Sequence, residues 1–130
     1  MRLEAINPEA LAKPKGYNNG MKGHGDVLFV AGQVGWNREG HMVSDDFVAQ
    51  FEQALENVLA VVWQAGGKPS SIGRMTVYVT DKEEYGQCTR QLGKLWRDRL
   101  GSHYPAMSLV EVKSLLEDGA KVEIEATALI

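Results

Sequence analysis

The residues best placed to do chemistry lie near the C-terminal end. Residues 121–128 read Lys-Val-Glu-Ile-Glu-Ala-Thr-Ala. Side chains alternate along a strand, so Glu123 and Glu125 share one face while Val122 and Ile124 take the other. A carboxylate held on a rigid strand is a candidate general base for activating water. The other chemistry-bearing residues are scattered. His24 sits between glycines in Lys22-Gly23-His24-Gly25, a mobile and accessible setting, although a solvated loop histidine is the simpler reading. Lys22 and Arg38 lie in neighbouring loops. His103, beside Tyr104, reads as packing the turn after a helix, and His41 as an exposed hairpin residue. Cys88 falls on an apolar helical stripe and reads as a core thiol. The chain contains no Cys-x-x-Cys pair, His-Glu-x-x-His, glycine-rich phosphate loop or Gly-x-Ser-x-Gly. No cofactor and no metal is therefore expected.

The elements that must position these groups can be read from pattern. Residues 1–6 read as a short edge strand, and 7–25, with two prolines and an Asn-Asn pair, as a loop. Residues 26–32 read as a buried strand closed by glycine, with 33–36 as an extension and 41–43 as a returning strand. Ser44 reads as the N-cap of an amphipathic helix. Phe47, Phe51, Leu55, Val58, Val62 and Ala65 mark its buried stripe, and Gly66-Gly67 its stop. Residues 75–80 read as a strand. A second helix is marked by Tyr85, Cys88, Leu92, Leu95 and Arg99, capped by Thr80 or Asp81 and stopped by Gly101. Residues 104–112 and 121–128 read as two neighbouring strands joined by the turn Glu117-Asp118-Gly119. Two helices on one face of a mixed sheet make an α+β sandwich. Apolar residues on both sheet faces point to self-association. Trp36, Trp63 and Trp96 read as core or interface.

Composition narrows the function classes. With 130 residues the chain fits one domain, spanning 1–130, and a hydrophobic content of 44% excludes disorder. A net charge of −3 without a basic stripe argues against nucleic acid and anionic membrane as partners. A single cysteine excludes an internal disulfide, and a reducing compartment follows most simply. The absence of a long apolar run or a signal-peptide core leads to the expectation of a cytoplasmic protein.

The block Pro105-Ala106-Met107-Ser108-Leu109-Val110-Glu111-Val112, followed by Val122-Glu123-Ile124-Glu125-Ala126, resembles the C-terminal signature of the YjgF/RidA family of trimeric enamine/imine deaminases. Pro14, Gly16-Tyr17, the strand end Phe29-Val30-Ala31-Gly32-Gln33, and Asn57-Val58-Leu59-Ala60 with Ala65-Gly66-Gly67 resemble the family in the same order. The resemblance implies a RidA-like, chorismate-mutase-like two-layer sandwich, with a mixed six-stranded sheet and two helices on one face. It also implies a homotrimer with small-ligand sites between subunits, and work in metabolite damage control. Carried over residue by residue, it gives Tyr17 and Glu123 catalytic roles and Gly32 a part in placing the substrate, with Tyr17 supplied across a subunit boundary. The family's substrate-binding arginine falls on Met107, and a frequent cysteine on Leu109. An arginine holds a substrate carboxylate through paired charge-assisted hydrogen bonds, whereas a thioether offers a soft apolar surface. Met107 and Leu109 thus suit a neutral or aromatic ligand. The expected function is imine hydrolysis on a substrate other than the usual amino-acid-derived imines, or ligand or partner binding without turnover; a purely structural or chaperone-like role is the third option.

Overall fold

The computed structural model describes residues 3–130. Six strands and three helices follow the order β1 (Glu4–Ile6), β2 (Gly20–Lys22), β3 (Val27–Val34), α1 (Phe47–Gln64), β4 (Ile72–Val79), α2 (Lys82–Gln87), α3 (Thr89–Leu100), β5 (Ala106–Glu111) and β6 (Val122–Leu129). A 3-10 turn at Pro69–Ser71 leads into β4. The architecture is the expected α+β domain with a mixed sheet. Four strands form the main sheet in the order β3-β6-β4-β5, and β1 and β2 pair as a small ribbon. Residues 1 and 2 of the expected edge strand lie outside the described residues. Among those described, no helix is long and apolar enough to cross a membrane.

The core lies between the sheet and the helices. From α1 it receives Phe47, Phe51, Ala54, Leu55, Val58, Leu59 and Val62, and from α3 Leu92, Leu95, Trp96 and Leu100. The sheet answers with Met75, Val77 and Val79 on β4 and Val122, Ile124, Ala126 and Ala128 on β6. Removing these apolar faces from water is the main force assembling the two layers.

Several expectations are corrected. The cap of α1 is Asp46, which accepts from the Ala49 amide at 3.0 Å; the Ser44 hydroxyl accepts one step upstream, from the Asp46 amide. The second helical stripe is broken at Cys88, whose φ of −110° and ψ of 8° leave helical geometry. Cys88 is half-buried at that break, against the edge of the core. The predicted N-terminal loop contains β2. Met42 makes only an isolated bridge to Trp36 where a strand was expected. The last two strands are not neighbours: β4 lies between them, parallel to β5 and antiparallel to β6. A parallel partner needs a long crossover, and α2–α3 supplies it between β4 and β5. The uncovered sheet face is polar at its centre, with Thr76, Tyr78, Glu123 and Glu125. Exposed apolar residues on it sit on the two outermost strands, Val27 and Phe29 on β3 and Val110 on β5. Trp96 is buried, whereas Trp63 is exposed.

Candidate functional site

Two irregularities of the sheet shape the site. The first is a bulge in β3. Val30 pairs with Ala126 and Gln33 with Ile124, so three steps along β3 face two along β6. The extra residue falls within Ala31-Gly32, and such bulges re-aim neighbouring groups. Glu123 lies directly over Gly32: a Cβ there would collide with the carboxylate, whose Cδ would be 2.8 Å away. The Gly32–Glu123 pair is thus a contact that only glycine permits. One strand over, the Tyr78 hydroxyl donates to Glu125 at 2.6 Å, and that bond to a carboxylate raises the Tyr78 pKa above 10.0.

The second is the edge of β5, where the N-terminal loop runs alongside. Asn18 bridges Ala106, its amide donates to the Pro105 carbonyl at 3.1 Å, and its side chain donates to the Tyr104 carbonyl at 2.6 Å. Tyr17 is therefore tied beside residues 104–106, and is partly exposed there. Met107 pairs in register with the buried Met75, and Leu109 with the buried Val77, so both project toward the helices. They floor a cavity of about 170 Å³ whose walls include Gly16, Tyr85, Thr89, Leu92, Trp96 and Tyr104. Among the described residues, no charged side chain lines it. Trp96 and Tyr104 stack with centroids 5.9 Å apart and planes 2° from parallel, giving one rigid aromatic wall. Burial raises the pKa of Tyr85, keeping its hydroxyl neutral at the cavity wall.

Within one chain the expected site residues therefore form two groups. Tyr17, Met107 and Leu109 gather at β5, the former in the loop beside it. Gly32 and Glu123 gather at β3 and β6, with β4 between the groups and Glu123 on the opposite sheet face from Met107. Lys22, His24 and Arg38 lie away from both groups. Arg38 faces a shallow surface with Gln33, Trp36 and Asn57; Lys22 belongs to the β1–β2 ribbon; His24 is exposed. The His103 Nε2–H donates to the Ile72 carbonyl, 2.7 Å away, and holds the turn after α3, as expected. The sequence reading missed Tyr85, Thr89, Trp96 and Tyr104 as cavity walls. The signal was present in the helical stripe of aromatics, but it reads equally as core.

A family profile described as endoribonuclease L-PSP matches residues 7–130. The chain belongs to this family, that of the YjgF/RidA proteins. A RutC family protein of Pasteurella multocida is 36% identical over 105 residues, 81% of each chain. A 2-iminobutanoate/2-iminopropanoate deaminase of Escherichia coli K12 is 34% identical over 105 residues, 81% of this chain and 80% of its own. The crystal structure of a Rid family protein of unknown function from Yersinia pestis, YyfB, covers 100% of both chains with a TM-score of 0.85 and 32% identity. The expectation of YjgF/RidA membership and of the fold is thereby met.

Proposed function

We propose that this YjgF/RidA member acts as a homotrimer on a small neutral imine or enamine, bound between subunits against the Met107–Leu109 floor. In this reading the β3 edge of one chain meets the β5 edge of the next, bringing Gly32 and Glu123 toward Tyr17 and the cavity. The observation that carries the substrate class is the cavity at β5, walled by aromatics and floored by two apolar side chains, with no charged lining group among the described residues. Its volume of about 170 Å³ is close to the roughly 150 Å³ of an engineered apolar cavity that takes benzene. A carboxylate entering it would lose its water without a paired donor, and the missing charge-assisted contact would cost about 2–5 kcal/mol.

The chemistry asked of the protein is modest. Glu123 takes a proton from water as the oxygen bonds to the imine carbon, and returns it to the nitrogen to give a carbinolamine. The hydroxyl proton then passes to the amine as the C–N bond breaks, ammonia leaves, and a carbonyl compound remains. The Tyr17 hydroxyl and the Gly32 backbone amide orient the substrate. The polypeptide needs no cofactor for this, and the reading places the protein in the cytoplasm among metabolite-damage enzymes, without a nucleic-acid or membrane partner. A second reading, ligand binding without turnover, is favoured by the separation of Glu123 from the cavity within one chain.

The test is hydrolysis of enzymatically generated 2-iminobutanoate, followed by ammonia release, beside hydrolysis of the benzaldehyde imine, followed by the aldehyde. The natural chain is expected to leave 2-iminobutanoate near its uncatalysed rate and to accelerate the neutral imine, and Met107→Arg to shift the preference toward the acid. Turnover of 2-iminobutanoate at the rate of an arginine-bearing relative would overturn the reading. Saturable benzaldehyde binding with no turnover of either imine would select the binding module.

A further inference from the structure

We infer that Arg74 forms a separate binding site for a small oxyanion, a carboxylate or a phosphate, on the sheet face opposite the apolar cavity. Arg74 follows a second bulge: Ile72 pairs with Ala128 and Arg74 with Thr127, leaving Gly73 unpaired in β4. From there Arg74 lies on the helix-free face, in register with the small Ala106 of β5. A methyl group across from it leaves room beside the guanidinium. Two surface cavities share Arg74 as a wall. One, about 240 Å³, is lined by Asn19, Met75, Ala106, Met107 and Ser108 besides Arg74; the other, about 230 Å³, includes Thr76, Glu125 and Thr127.

Charge decides between them. The second cavity contains the Glu125 carboxylate, already bound by the Tyr78 hydroxyl, and repels an anion. Among the described residues the first contains no carboxylate, and it adds the Ser108 hydroxyl and the Asn19 side-chain amide, one of whose two protons is already given to Asn7 Oδ1 at 3.1 Å. Among the described residues, no carboxylate oxygen lies within ion-pairing distance of Arg74. By contrast, Arg99 on α3 holds both Glu52 and Glu56, at 2.5 and 2.7 Å. A guanidinium with free donors beside a hydroxyl and an amide matches the planar, paired recognition of an oxyanion. Arg74 also lies four residues along β4 from Tyr78, the register partner of Glu123, a separation of about 13 Å at roughly 3.3 Å per residue. The cavity with Asn19 and Ser108 does not include Glu123 in its lining, so the inference does not rest on the proposed hydrolysis.

The experiment follows the Arg74 Nε–H and Ser108 amide signals of the full chain by ¹H–¹⁵N NMR, during separate titrations with 2-oxobutanoate and inorganic phosphate. A saturable shift of both signals is expected for at least one probe, and the one that binds identifies the oxyanion. Arg74→Gln is expected to weaken that probe at least tenfold, and Ser108→Ala by a few-fold, with the mass in solution unchanged. No saturable shift with either probe overturns the site. So does unaltered affinity in Arg74→Gln, or loss of assembly in that variant with unaltered affinity, which would make Arg74 an interface residue.

Discussion

At the scale of single residues, two glycines separate a contact made for the site from one made for the fold. At Gly32 a Cβ would meet the end of the flexible Glu123 side chain. At Gly35 it would meet the backbone of α1, with the Cα of Gln50 2.7 Å away. A carboxylate can swing aside, whereas a helix must translate. Gly32→Ala is therefore expected to leave urea-unfolding stability within about 1 kcal/mol of the parent while displacing Glu123. Gly35→Ala is expected to cost about 1–3 kcal/mol, as overpacking does. Equal losses in the two variants would show that the Glu123 contact is structural. The Met107 position was legible from sequence because a substitution inside an otherwise intact motif stands out. The placement of Glu123 over Gly32 was not, because the bulge that creates it depends on pairing between residues some 90 positions apart in sequence.

Between elements, one buried polar side chain joins three parts of the chain. Gln50 is fully buried on the apolar stripe of α1. Its Nε2 donates to the Ser44 and Gly119 carbonyls, both at 2.9 Å, and its Oε1 accepts from the Lys121 amide at 2.8 Å. It thereby ties the start of α1 to the turn before β6. Gln50→Ala would leave these backbone groups without partners, and a loss of about 2–4 kcal/mol is expected in equilibrium unfolding. A polar residue three places after Phe47 was the visible signal, and periodicity alone reads past it. The Tyr78–Glu125 bond across β4 and β6 has a pH signature. Because the folded pKa of Tyr78 is raised, its contribution to stability is complete below pH 10 and is lost as pH rises through the higher folded value. Glu125→Ala should move the Tyr78 titration, followed by the ¹³C shift of Cζ, back toward 10.0; an unchanged midpoint would assign the shift to burial instead. Helices α1 and α3 and strands β3 to β6 were readable because their periodicities are local. The order β3-β6-β4-β5 and the β1–β2 ribbon were not, since both depend on distant partners.

For the whole molecule, the outermost strands carry the argument for assembly. Phe29 on β3 is 80% exposed, and Val27 beside it and Val110 on β5 are open as well, while the centre of the same face is polar. Apolar groups at both open edges suit a contact of one β3 edge with the next β5 edge, which closes into a ring. Light scattering is expected to give about three times the 14.3 kDa of one chain. Phe29→Glu, which charges the exposed edge, is expected to shift that mass toward the monomer. A monomeric natural chain at micromolar concentration would remove the shared site.

The position of β6 between β3 and β4 has a bearing on biosynthesis. It is the last strand in chain order, yet two of the three strand pairings in the main sheet are made with it. While the ribosome still holds residues 122–129, β3 has no partner in that sheet and β4 can join only to β5. The nascent polypeptide thus exposes apolar strands such as Val27–Val34 until residues 122–129 have emerged, a period in which holding chaperones have most to protect.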